Sequence, residues 1–122
     1  MAKLYILKDG RIRRDRRGNP YTSYELAVER EDLYLVGSTV SRGKAQAELT
    51  DQQAYVLSAL MLAEKVLVTK DMLVEYIWPE PGTEPDHAWE KLFHQTCMLR
   101  KQLKPLGVGI KVYNGMGWEL KL

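Results

Sequence analysis

Between Glu90 and Lys101 the sequence places Lys91, His94, Gln95, Met98 and Lys101 so that, at about 100° per residue, they share one side of a helix with Glu90. Cys97 falls at the edge of that side. These residue types suit the reading of hydrogen-bonding edges on a nucleic-acid base pair. The Gln95 carboxamide offers a donor and an acceptor together and can pair bidentately with adenine. Lys91 and Lys101 suit guanine acceptors or phosphate oxygens, and Met98 can lie against a thymine methyl. His94 can donate to a base edge or a phosphate. The plain alternative is a solvated helix face.

Two further groupings bear on chemistry. His87, Glu90, His94 and Cys97 fall along one stripe, the only arrangement that suggests a metal or redox sensor. Their spacing matches no standard zinc signature, so no metal and no cofactor are expected. Cys97 lacks a base and an orienting partner in the sequence, which leaves no nucleophile and no expectation of an enzyme. The second grouping is the run Arg11, Arg13, Arg14, Arg16 and Arg17. It reads equally as a phosphate-binding arm or as a flexible, solvated turn.

The elements that would position these residues follow from length and periodicity. A chain of 122 residues falls in the size range of one globular domain. Nothing at its start resembles a signal peptide and no stretch has the apolar length of a membrane span, so a cytoplasmic protein without membrane attachment is expected. The lone Cys97 excludes an internal disulfide. Formal net charge is only +2, but its placement is uneven: basic up to Arg17, acidic from Glu48 to Glu84, basic again after Glu90. If the basic segments meet, one face is polarised toward a phosphate backbone.

Residues 3 to 49 read as strands, with Leu4–Leu7, an Asp9-Gly10 hairpin turn, a basic loop over 11–19, then Tyr24–Val28, Leu33–Val36 and Thr39-Val40. At Thr50 the period lengthens. Thr50 and Gln53 form a capping-box pattern opening a first helix to about Glu64, which buries Ala54, Val56, Leu57, Leu60 and Met61. Thr69 can cap a second helix carrying Met72, Leu73, Tyr76 and Ile77 inward, and Pro79 stops it at Trp78. A third helix from about Asp86 to Lys104 has Ala88, Leu92, Thr96, Leu99 and Leu103 on its inner arc. Ile110–Tyr113 and Trp118–Leu120 flank a glycine-containing turn and read as a closing hairpin. Trp78, Trp89 and Trp118 read as packing residues. The order predicts an α+β winged helix-turn-helix over 1–122, with an N-terminal antiparallel sheet (1–49), a three-helix core (50–104) and a C-terminal β-hairpin wing (108–122). In such an order the third helix (about 86–104) enters a major groove and the 110–120 hairpin touches the neighbouring backbone or minor groove.

The blocks Leu49-Thr50, Val68 to Leu73 through Trp78, Leu99-Arg100-Lys101-Gln102-Leu103 and Ile110 to Leu120 resemble, in order and spacing, the OmpR/PhoB-type effector domain. The resemblance spans roughly residues 33 to 122. Gln95 with Leu99-Arg100-Lys101, followed by Leu103 to Gly107, is closest to the ToxR/CadC-like branch. The resemblance implies a transcription regulator that binds double-stranded promoter DNA, often as a tandem homodimer, and touches RNA polymerase through the loop before the recognition helix. It adds Arg100, and Lys111 and Asn114 in the wing, to the contact residues. The residues before Leu33 are too few for a phosphoacceptor receiver. Glu90, Cys97 and Met98 stand where the family often has arginines, and Asn114 where the wing has one. Either the target differs or affinity for DNA is modest. A winged-helix module that binds another regulator or RNA polymerase, with little or no DNA contact, is the competing reading.

Overall fold

The structure is a computed structural model that describes residues 2–14, 17–18, 20–63, 67–113 and 116–122. The chain opens with five strands: β1 (Lys3–Arg14), β2 (Pro20–Arg30), β3 (Leu33–Val36), β4 (Thr39–Arg42) and β5 (Ala45–Glu48). They pair antiparallel in sequence order, β1-β2-β3-β4-β5. Three of the connections are two-residue turns, and each begins with a residue of positive φ: Glu31 (55°), Gly37 (59°) and Gly43 (61°). Positive φ matches the twist of the flanking strands. Glycine adopts it freely, whereas Glu31 adopts it at a cost of roughly 1 kcal/mol or more.

Asp9-Gly10 is not a hairpin turn. β1 runs through it, with the pairing to β2 shifting register between Lys8 and Ile12. An irregularity of this kind lets a strand absorb a turn-forming dipeptide without reversing direction. The predicted basic loop is therefore shorter than 11–19, because Arg11–Arg14 belong to the strand. β5 was not foreseen as a separate strand. Its Ala-Gln-Ala-Glu alternation carries small residues on the inner side, a weak signal beside the larger apolar residues of β3 and β4.

Three helices follow: α1 (Asp51–Leu62), α2 (Lys70–Ile77) and α3 (Ala88–Leu103). The capping box at α1 is formed as its sequence predicts. Thr50 Oγ1 accepts from the Gln53 amide at 3.2 Å, and Gln53 Oε1 accepts from the Thr50 amide at 3.1 Å. All five predicted core residues of α1 are buried, and Gln53, Ser58 and Ala59 join them, so the helix is enclosed on several sides. Thr69 Oγ1 accepts from the Met72 amide at 3.1 Å and caps α2. α2, however, buries only Leu73 fully. Met72 and Tyr76, predicted to face inward, are 45% and 40% exposed. A two-turn helix can dock through a narrow stripe, and here that stripe is Leu73 with the half-buried Val74, Ile77 and Trp78. Tyr76 keeps its ring out while its hydroxyl lies 2.8 Å from Ser58 Oγ on α1.

α3 buries Leu92, Thr96, Leu99 and Leu103, with Ala88 half-buried. The Thr96 hydroxyl donates to the Leu92 carbonyl at 2.7 Å, which satisfies a polar group inside the apolar arc. The helix runs into a short 3-10 turn, Lys104–Leu106, and stops at Gly107. The chain closes with β7 (Gly109–Tyr113) and β8 (Gly117–Lys121). A two-residue strand between the first two helices, β6 (Val68–Thr69), pairs with β8 and completes a three-stranded sheet of order β6-β8-β7. A Cβ on Gly117 would lie 2.1 Å from the Val68 carbonyl oxygen, so only glycine allows that approach.

One apolar cluster joins the N-terminal sheet (Val28, Leu33, Leu35, Val40), the helices (Leu57, Leu60, Leu73, Leu99) and the closing sheet (Ile110, Trp118, Leu120). Two arginines cross-link the layers. Arg30 Nη1 donates to the Leu60 carbonyl on α1 at 3.3 Å. Arg42 donates from Nε to both carboxylate oxygens of Asp32 at 3.0 Å and from Nη1 to the Leu106 and Gly107 carbonyls. Those two carbonyls lie just past α3, where helix-end acceptors otherwise need water. Among the described residues no helix is long and apolar enough to cross a membrane. The arrangement is an α+β winged-helix fold.

Candidate nucleic-acid interface

The outer face of α3 is set by what the inner face buries. With Leu92, Thr96, Leu99 and Leu103 sequestered, the helical period turns Glu90, Lys91, His94, Met98 and Lys101 to the surface, and all five are exposed. Arg100 is exposed as well, while Gln95 and Cys97 are half-buried on either shoulder. A half-buried Gln95 presents its carboxamide from a partly fixed stem, which limits its reach.

The electrostatics of this face are one-sided. Lys91 and Lys101 on this face, and Arg100 on the flank of Trp89 and Phe93, form no ion pair among the described residues. The single carboxylate of the helix, Glu90, lies 3.3 Å from His87 Nδ1. Its influence is therefore directed toward the helix start. His87 caps α3 by its backbone alone, in a left-handed conformation (φ 57°, ψ 37°), and gives its carbonyl to the Lys91 amide at 3.1 Å. Among the described residues no group of three or more His, Cys, Asp or Glu is placed to share a metal ion. The stripe from His87 to Cys97 thus brings His87 and Glu90 together without forming a ligand set.

The hairpin β7-β8 carries the second group of candidate residues. Lys111 is exposed on β7, with its ammonium 4.9 Å from the centre of the Tyr113 ring. The Tyr113 hydroxyl donates to Glu119 Oε2 at 2.9 Å, and Lys121 donates to Glu119 Oε1. The hydrogen bond from Lys121, and then that from Tyr113, holds the Glu119 carboxyl below its usual pKa; the same contact with Glu119 raises that of Lys121. This chain of contacts spans both strands on the exposed side, opposite the buried Trp118.

The arginine-rich segment stands on the other sheet. Arg13 and Arg14 lie on β1, opposite Tyr21 and Pro20 of β2, and Arg17 is exposed in the connection. Arg16 and Asn114 lie outside the described residues.

Sequence reasoning missed the flank of α3 that faces the wing. Trp89, read as a packing residue, is 41% exposed. Its ring meets that of Phe93 edge-on, with centres 5.7 Å apart, and carries the Lys70 ammonium 4.9 Å above it. The visible signal was the pair of aromatics four residues apart, a spacing that brings side chains together on a helix surface. Trp118 is buried as predicted, and Trp78 half-buried.

No family model matches the sequence, and no curated protein matches it. Among solved structures, the chain is similar to the C-terminal domain of the nisin resistance regulator NsrR, a lantibiotic response regulator. The TM-score is 0.64 at 22% sequence identity, over 75% of this chain and 93% of that one. The likeness is one of fold: the helices and closing hairpin described above belong to a winged-helix arrangement also found in that regulator domain.

Proposed function

We propose that the protein is a DNA-binding transcription regulator, placing α3 in the major groove of double-stranded promoter DNA and the β7-β8 hairpin against the adjacent backbone. The observation that carries this reading is the exposed face of α3. It holds Lys91 and Lys101 free of ion pairs among the described residues, on the helix that a winged-helix fold presents to a groove, and Arg100, equally without an ion pair, stands on the flank of Trp89 and Phe93. Unpaired cations gain most from displacing phosphate counterions. Similarity of fold to a response-regulator domain supports the same role.

Within this reading Gln95, His94 and Met98 face base edges. Lys91, Arg100, Lys101 and Lys111 hold phosphates or guanine, and Asn114 joins Lys111 from the wing. Arg13, Arg14, Arg16 and Arg17 form a second phosphate contact from the β1-β2 hairpin. A cytoplasmic protein that binds as a homodimer, meets RNA polymerase through the α2-α3 connection, and performs no catalysis of its own completes the proposal. The ToxR/CadC-like branch remains the favoured affiliation on the residues from Gln95 to Gly107.

One observation favours the second reading, a protein-binding winged helix. Trp89, Phe93 and Met98 are all exposed on α3, and large apolar side chains there suit a protein surface better than a groove.

Selection of random duplexes at defined salt, followed by titration of the enriched site, separates the two. DNA reading expects a motif and salt-sensitive affinity. Gln95→Ala should then relax preference at one base pair, whereas Lys111→Ala weakens all sequences and lowers the salt slope by about 1. Failure to enrich any motif, with no salt-sensitive binding, would establish the protein-binding reading instead.

A further inference from the structure

β1 is an edge of the five-stranded sheet: β2 pairs with it on one side, and on the other side no strand among the described residues does. The backbone groups on that open side follow from the pairing. Arg30 and Leu33 flank the two-residue turn between β2 and β3, and the pair that closes such a turn exchanges hydrogen bonds. Arg30 and Val28 therefore turn their N–H and C=O groups toward β3, while Glu29, Ala27 and Glu25 turn theirs toward β1. Their partners on β1 are Lys3, Tyr5 and Leu7, which leaves the backbone groups of Leu4, Ile6 and Lys8 pointing out of the sheet.

Natural sheets blunt an open edge with charge, irregular backbone or a covering element. β1 concentrates such features toward its far end, where the register shifts after Lys8 and Arg11, Arg13 and Arg14 follow. The regular part, Lys3 to Lys8, holds the unbroken apolar run Leu4-Tyr5-Ile6-Leu7, and Leu4 is 50% exposed. A second copy of this edge is complementary to it. In an antiparallel pair related by a two-fold axis, open backbone groups meet open ones only when the axis passes through a residue position and not between two. An axis at Ile6 sets Ile6 opposite itself, Leu4 opposite Lys8, Tyr5 opposite Leu7 and Lys3 opposite Asp9, so that opposite charges meet at both ends of the run. An axis at Tyr5 leaves Lys3 opposite Leu7, and one at Leu7 sets Lys3 opposite Arg11, a like charge.

We propose that two copies of this chain pair through β1, antiparallel and centred on Ile6, which joins their five-stranded sheets into one. Main-chain hydrogen bonds from Leu4, Ile6 and Lys8 hold the pair, and the meeting of Lys3 with Asp9 of the second copy selects its register. The contact is isologous, so it consumes the open edge of both copies and closes at a dimer. The paired run ends before Arg11, which leaves the arginines of the β1-β2 hairpin outside it. The inference rests on the homodimer of the functional proposal, for which it supplies the surface, and not on DNA binding. Pairing is measured without nucleic acid, and a monomer that binds DNA would sink the inference while leaving a DNA-binding regulator in place.

Sedimentation equilibrium of the full chain over about 5–500 μM should show monomer and dimer with a dissociation constant on the order of 10–100 μM, as fits a contact smaller than a standard interface. Disulfide capture in a Cys97→Ser background reads the register. Opposed residues that exchange hydrogen bonds have Cα atoms about 5.5 Å apart, within the range a disulfide spans. Ile6→Cys, opposite itself, should cross-link to a dimer under mild oxidation. Leu4→Cys, displaced from its counterpart by about 13 Å along the strand, should not. Lys3→Asp sets like charges opposite each other at both ends and should weaken the dimer about tenfold, and adding Asp9→Lys should restore it. A chain that stays monomeric to about 500 μM overturns the inference. So does a dimer in which Ile6→Cys cross-links no faster than Leu4→Cys, or one indifferent to Lys3→Asp.

Discussion

Two antiparallel hairpins bracket this chain, and they are held in different ways. The β7-β8 wing is short and pinned: β8 lies between two strands, Trp118 and Leu120 enter the core, and Gly117 presses against the Val68 carbonyl. The β1-β2 hairpin is longer, and β3 secures it only through Ala27–Arg30. From Pro20 to Leu26, β2 pairs with β1 and with no third strand among the described residues. A two-stranded ribbon without a further partner is marginal by itself. A hairpin positions a charged side chain only as firmly as its own backbone is anchored. The wing is therefore suited to a contact of fixed geometry, and the ribbon to electrostatic contact that tolerates displacement.

The sharpest way to break this contrast is Gly117→Ala. The added methyl meets backbone on β6, which cannot rotate away, so a loss of about 3 kcal/mol in stability is expected from chemical denaturation. A near-native midpoint would show that the wing can detach from β6 and is no better anchored than the ribbon. Next in size is Arg42→Ala, which removes the link between β4 and the end of α3; about 1–2 kcal/mol should be lost. By contrast, replacing Arg13, Arg14, Arg16 and Arg17 together with alanine should leave stability within about 0.5 kcal/mol. If the ribbon contacts phosphates, the same replacement lowers affinity at every DNA sequence and flattens its salt dependence. An unchanged slope removes the ribbon from the interface.

Hydrogen exchange sharpens the comparison without mutation. Amides of β8 should exchange near the rate set by global unfolding, and those of β2 from Tyr21 to Leu26 much faster. Equal protection would mean that the ribbon is covered by something beyond β1. The smallest effect expected is in Glu119→Gln. Because Lys121 and Tyr113 lower the Glu119 pKa, the native protein should gain over the variant above the ordinary glutamate value of about 4.3. That gain fades as pH falls through the lowered pKa. On the alkaline side Lys121 acts in the opposite sense, since its pKa is raised. Its contribution is complete below about 10.4 and fades as pH rises through the raised value. Parallel melting curves across both ranges would remove Glu119 from the account of wing stability.

The legibility of the sequence follows the same division. Features set by neighbours along the chain were readable: the Thr50–Gln53 box, the Thr69 cap, the halt at Trp78, and the buried arcs of α1 and α3. Features set by distant partners were not. Whether Asp9-Gly10 turns or runs on depends on what β2 offers opposite it. Which side of α2 docks depends on Ser58 and on the narrow stripe around Leu73. β6 exists because β8 arrives to pair with it some fifty residues later. At the candidate interface, the exposure of Lys91, His94, Met98 and Lys101 followed from the helical period alone. The role of Trp89 did not, because its size argued for the interior while its neighbours across the wing left it half outside.

Thr69 belongs to both architectures at once: its backbone is a rung beside Gly117, and its hydroxyl holds the first turn of α2. The wing is consequently not a portable part. Transplanted onto another scaffold as the terminal segment alone, it would leave behind the strand that closes its sheet. A chimera that exchanges wings between proteins of this architecture would need to carry the α1-α2 junction with it, as two separated pieces of chain that have to be inherited together.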